Sequence, residues 1–138
     1  MLTLRSGGCL CGAVRYECSA EPVFSANCHC RDCQKLSGGA YIATFFVTEN
    51  SVTITGEVQY FDKLGDSGHW VKRGFCPNCG SQVFGKPEVV TAMLGIRAGS
   101  LDNPALYQPQ MDIYAASAQP WDFMNPDLPK FSQLPPRI

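Results

Sequence analysis

Seven cysteines fall into three tight groups: Cys9 and Cys11, then Cys28, Cys30 and Cys33, then Cys76 and Cys79. Thiolates are soft ligands that suit zinc, and zinc sites divide by ligand count: four protein ligands close a structural site, three leave a position for chemistry. The run Cys76-Pro77-Asn78-Cys79-Gly80 has the form of a zinc-knuckle turn. Pro77 presets φ after the first ligand, Gly80 can take the left-handed conformation after the second, and the turn aims backbone N–H groups at both sulfurs. That is half a site. Cys9-x-Cys11 is the natural donor of the other half, because residues i and i+2 of a strand share a face. Four thiolates would then close a structural zinc and clip together segments 65 residues apart, a loop length at which a metal clip contributes most in principle.

Cys28, Cys30 and Cys33 remain as a separate set whose spacing of i, i+2, i+5 wraps one metal if the chain bends from a strand into a turn. Three ligands with an open fourth position is the pattern of catalytic zinc. A [4Fe–4S] cluster would need a fourth cysteine, and the spacing gives no reason to recruit Cys18. Zinc with three thiolates is formally anionic and soft, so its open position favours a substrate thiol, held as nucleophile or leaving group. Around it, Arg31 and Lys35 are candidates to anchor carboxylates, with Lys72 and Arg73 near the other cysteines. Ser37 offers a hydroxyl, and Gly38 and Gly39 allow close backbone approach, although Ser37-Gly38-Gly39 also reads as a turn that ends a helix. His29, between two ligands, is expected to project away from the metal as a supporting donor or an exposed residue. His69 reads first as a surface-loop residue.

The elements that must position these groups are mostly short strands. Segments 13–18, 41–47, 51–56, 58–61, 82–85 and 89–96 are rich in β-branched and aromatic residues and are separated by Gly, Asp, Asn and Ser turns. The best helical candidate is a turn or two over 31–37, entered through Asp32. Five of the ten prolines fall in the last nineteen residues, which predicts an irregular tail packed across the body by Trp121, Phe123 and Phe131. At 138 residues the chain is expected to be a single domain, 1–138. A net charge of −1, with charges scattered, argues against a nucleic-acid surface. The opening stretch MLTLRSGGCL has no apolar run of export-signal or membrane-span length, so the expectation is a cytoplasmic protein without a membrane partner. In a reducing compartment eight cysteines are metal material rather than disulfide material.

The segments GGCLCGAVRYE (7–17), CHCRDCQKLSGGAY (28–41), RGFCPNCGSQVF (73–84) and AGSLDNP (98–104), with QPWDF (119–123) and LPKF (128–131), resemble the glutathione-dependent formaldehyde-activating enzyme family, which also contains the centromere protein V domain. The resemblance implies a mainly β, β-tent fold of zinc-bound antiparallel sheets. It implies two Zn2+ sites: a structural one on Cys9, Cys11, Cys76 and Cys79, and a second, partly occupied one on Cys28, Cys30 and Cys33. It also implies a carbon–sulfur lyase acting on a glutathione adduct such as S-hydroxymethylglutathione, with glutathione or another small thiol as partner. Cys18 has no metal role in that pattern and is expected to be a packing residue. The competing reading is a zinc-stabilised binding module without chemistry, which the small net charge and the lack of a basic tail disfavour.

Overall fold

The computed structural model describes residues 3–136. Ten strands, one α-helix and four short 3₁₀ turns are present among them. A small antiparallel sheet holds β1 (Arg5–Gly8), β2 (Arg15–Cys18) and β5 (Val52–Thr55), in the order β1-β2-β5. The larger sheet contains β3 (Phe24–Cys28), β4 (Ile42–Thr48), β6 (Gln59–Leu64), β7 (Trp70–Phe75), β8 (Gln82–Pro87), β9 (Met93–Arg97) and β10 (Met111–Ile113). Its order is β10-β3-β4-β9-β8-β7-β6. The fold is mainly β, but its sheets are not all antiparallel as expected: β10 runs parallel to β3.

The alternation of side chains across the large sheet creates two different faces. Phe45, Val47, Val83, Phe84, Leu94 and Ile96 join Val14, Tyr16 and Cys18 of the small sheet in the principal core. Burying each such large apolar side chain contributes roughly 1.5–3 kcal/mol. Cys18 is fully buried there, as a packing residue. The opposite face carries Ala26, Thr44 and Phe46, with Arg73 directly across from Gly85 in the β7–β8 pairing. Over this second face lie Cys30, Cys33, Tyr114 and Leu134.

The expected helix is α1, Arg31–Ser37, and Gly38 caps it in the left-handed conformation at φ 72° with its N–H on Gln34 O at 2.9 Å. The expected strand over 89–96 begins only at Met93, because the chain turns first and Ala92 sits at φ 60°. The proline-rich end is attached by polar groups rather than by its aromatics. Trp121 and Phe123 are 67% and 96% exposed. Instead, Asp112 N donates to Pro129 O at 2.9 Å, Phe131 N to Asp112 O at 2.9 Å and Tyr114 N to Gln133 O at 3.1 Å. Among the described residues no helix is long and apolar enough to cross a membrane.

Candidate metal centres and the adjoining cavity

The four sulfurs of Cys9, Cys11, Cys76 and Cys79 converge to within 4.8 Å of one another, and all eight cysteines are free thiols. Two edges of the cluster measure 3.6 Å (Cys9–Cys11) and 3.8 Å (Cys11–Cys76). A tetrahedron with zinc–sulfur bonds of about 2.3 Å has edges of about 3.8 Å, so the donor set fits zinc in both chemistry and size. The knuckle forms as its residues predict. Gly80 lies at φ 77°, its N–H reaches Cys76 O at 2.8 Å, and Asn78 N donates to Cys76 Sγ at 3.4 Å. Hydrogen bonds from the Ser81 hydroxyl, then from its backbone, bring the Cys79 thiol down to about 5. Cys9 and Cys11 do not share a strand face as expected, because β1 ends at Gly8. They sit in the following turn, where Val14 N donates to Cys9 Sγ at 3.2 Å and Asn78 Nδ2 to Cys11 Sγ at 3.3 Å. Turn curvature, not strand periodicity, brings these two sulfurs together.

The second cluster is built at the junction of β3 and α1. Cys28 ends the strand, Cys30 is the N-cap of the helix and accepts from Cys33 N at 3.4 Å, and the three sulfurs lie within 4.8 Å of one another. Hydrogen bonds from the Cys28 and then the Cys33 thiol lower the pKa of Cys30, while Cys28 is raised by those same contacts with Cys30 and Cys33 and by burial. Three sulfurs this close are an arrangement suited to give up protons to a cation.

Two differences separate the clusters. The three-cysteine set supplies one ligand too few to close a tetrahedron, and it lines a partly open cavity of about 110 Å³ that none of the other four cysteines touches. The cavity is also lined from β7, β8 and β9, with Arg73, Gly85 and Arg97 among its residues, and the turn between β6 and β7 adds Gly65, Asp66 and Ser67. Burial lowers the Arg97 guanidinium from its ordinary value.

Arg31, Lys35, Ser37, Gly38 and Gly39 are brought close to the cysteines in sequence, but none of the five lines this cavity. Arg31 and Lys35 are exposed on α1, and Ser37, Gly38 and Gly39 form its closing turn, with Gly39 N on Ser37 Oγ at 3.1 Å. Lys72 points outward beside Asp62 at 3.7 Å. His69 is surface-exposed and meets Glu88 at 3.0 Å.

His29 is neither exposed nor idle. Its ring is fully buried, with Nε2 2.8 Å from Asp112 Oδ1 and Nδ1 2.6 Å from Asp122 Oδ2. Lys130 Nζ approaches the other Asp112 oxygen at 3.3 Å. The residue between two thiols is therefore clasped by β10 and by the C-terminal segment, 83 and 93 residues away in sequence. Only the His between two cysteines was visible beforehand; its acidic partners lie too far along the chain for spacing to pair them.

A mixed β fold with a four-cysteine cluster at one end and a three-cysteine cluster opening on a cavity defines a class of cysteine-rich β protein suited to zinc. Within that class, the chain belongs to the glutathione-dependent formaldehyde-activating enzyme family, whose family model matches residues 4–117. A crystal structure of a Rhodobacter sphaeroides protein shares the fold, with a TM-score of 0.56, 19% sequence identity, and coverage of 91% of this chain and 99% of that one. No functionally curated protein matches the chain.

Proposed function

We propose that residues 1–138 form a single zinc-binding domain, in the cytoplasm, that acts as a carbon–sulfur lyase-type enzyme on a small-thiol adduct of the glutathione kind, such as S-hydroxymethylglutathione. The observation that carries this reading is the asymmetry between the clusters: Cys28, Cys30 and Cys33 line the cavity beside Arg73 and Arg97, and Cys9, Cys11, Cys76 and Cys79 do not. In this reading Cys9, Cys11, Cys76 and Cys79 hold a structural zinc. Cys28, Cys30 and Cys33 hold a second one, whose chemistry when bound is to favour the thiolate form of a thiol beside it.

The chain's own residues do the rest. The Cys33 N–H on Cys30 Sγ and the His29 clasp fix the ligand loop, so its sulfurs need no reorganisation. Phe24, Phe46 and Val71 give the cavity beside the thiols an apolar lining. In the bond-forming direction the substrate sulfur adds to a carbonyl carbon and the thiol proton ends on the carbonyl oxygen. Cleavage is the reverse, and nothing is oxidised or reduced.

The test is metal analysis followed by cobalt substitution. Two metals per chain are expected, with the Cys28/Cys30/Cys33 metal lost first to a mild chelator. Glutathione should then add a saturable thiolate-to-cobalt charge-transfer band that Cys30→Ser abolishes. Absence of any new band with glutathione and with 2-mercaptoethanol would refute the enzyme reading and favour a binding module.

A further inference from the structure

The cavity contains positive charge that the fold leaves unanswered. Arg73 is 4% exposed, and its Nε and Nη1 are buried with no hydrogen-bond partner; Arg97 Nε is in the same state. Arg97 makes one bond, from Nη1 to Thr44 Oγ1 at 2.8 Å. Among the described residues no carboxylate pairs with either guanidinium. A buried guanidinium stays charged and is costly without partners, so its free N–H groups mark a place where an acceptor belongs.

The acidic residues of the cavity do not fill that place. Asp32 is engaged by Lys63 at 3.0 Å, and Asp66 is exposed in the β6–β7 turn. The thiols answer part of the charge, but zinc with three thiolates carries a formal charge of only about −1. Two guanidiniums therefore leave one positive charge unmatched. The remaining wall is largely apolar, with Phe24, Phe46, Val71, Val89, Ile113 and Leu134, and its other polar side chains, Thr44, Ser67 and Tyr114, carry no charge to answer the guanidiniums.

Gly85 fixes where the charge sits. A Cβ on it would lie 2.7–2.8 Å from Arg97 Nη2, Cζ and Nη1. The Arg97 guanidinium thus lies against bare backbone, and any side chain at 85 would push it away.

We propose that Arg73 and Arg97, held over Gly85, form an oxyanion subsite, and that the thiol or thiol adduct bound in this cavity presents a carboxylate or sulfonate to it. The carboxylate or sulfonate rests on the guanidiniums while the sulfur faces Cys28, Cys30 and Cys33. The placement of the sulfur rests on the thiol reading given above; the oxyanion subsite itself does not.

Calorimetric titration of the zinc-replete protein tests this with four probes: 3-mercaptopropionate, 2-mercaptoethanesulfonate, 2-mercaptoethanol and propionate. At least one of the two acidic thiols should bind ten-fold or more tightly than 2-mercaptoethanol, and the better of them identifies the oxyanion. Arg97→Gln and Gly85→Ala should each remove most of that preference and leave 2-mercaptoethanol binding as it was. Arg73→Lys, which keeps the charge and spares the fold, should retain part of it. Equal binding of acids and alcohol overturns the subsite, as does a preference that survives both Arg97→Gln and Gly85→Ala. If no thiol binds but propionate does, and Arg97→Gln abolishes it, the thiol reading falls and the subsite stands. If neither propionate nor any acidic thiol binds, the subsite falls.

Discussion

Replacing His29 by Ala should be among the most damaging single changes in this chain that touch no cysteine. The ring is fully buried and the side chains of Asp112 and Asp122 are each 2% exposed, so solvent screens none of these contacts. The two ring nitrogens lie 2.8 and 2.6 Å from Asp112 Oδ1 and Asp122 Oδ2, so the ring is the hydrogen-bond partner of both carboxyl groups. Without it, Lys130 at 3.3 Å is the one side chain left beside these acids among the described residues, and it approaches only Asp112. Truncating the ring leaves two buried carboxyl groups without their partner at about 1.5–2.5 kcal/mol each, about 3–5 kcal/mol in all. For 138 residues the unfolding entropy is about 0.3 kcal/mol per degree, so the melting temperature should fall by about 10–17 °C. The assay is thermal unfolding of parent and His29→Ala proteins, both zinc-saturated and with metal content measured. Asp122→Asn, which keeps an acceptor oxygen and loses the charge, should give a smaller drop and faster proteolysis within 118–136. A His29→Ala protein that melts within 3 °C of the parent at equal zinc content would refute the clasp.

Cys76→Ser should release the structural metal and lower the melting temperature sharply, because binding energy at a site linking residues 65 apart is folding energy; unchanged zinc content and stability would refute the four-thiolate assignment. The Asp102 carboxyl is held down to about 2, chiefly by the Arg15 side chain and then by the Ser6 hydroxyl. A depressed folded pKa gives stability that is present above the ordinary carboxylate range, about pH 4, and is lost as pH falls towards 2. NMR titration should place Asp102 near that value, and Arg15→Gln should raise it towards the ordinary range. A normal Asp102 pKa in the parent would refute the pairing.

The sequence carried the cysteine grouping, the knuckle with its left-handed Gly80, and α1 to the residue, because each rests on local chemistry: thiol spacing, turn residues, a helix cap. The strands β4, β5 and β8 were legible for the same reason, being runs of β-branched and aromatic residues. β3 and β7 were not. FSANC and WVKRGF contain Ser, Asn, Lys, Arg and Gly, and they become strands only because neighbours on both sides pair with them. The parallel placement of β10 is likewise a tertiary outcome with no local signal. Anchors for a substrate's carboxylates were sought among the cations nearest the cysteines in sequence, Arg31, Lys35, Lys72 and Arg73. The cavity takes in Arg73, already a candidate from its place beside Cys76, and Arg97, which lies on β9 far in sequence from every cysteine.

The cavity draws its two walls from separate stretches of chain. Its thiols all come from one continuous run, 28–33, whereas the wall with its two arginines is built on β7, β8 and β9. A change at 73, 85 or 97 therefore alters which molecules fit without touching a single metal ligand. Selectivity and metal loading are then separable traits, open to independent drift over generations or to independent redesign at the bench. A small library confined to those three positions would sample new ligand preferences while every member kept the same seven thiols.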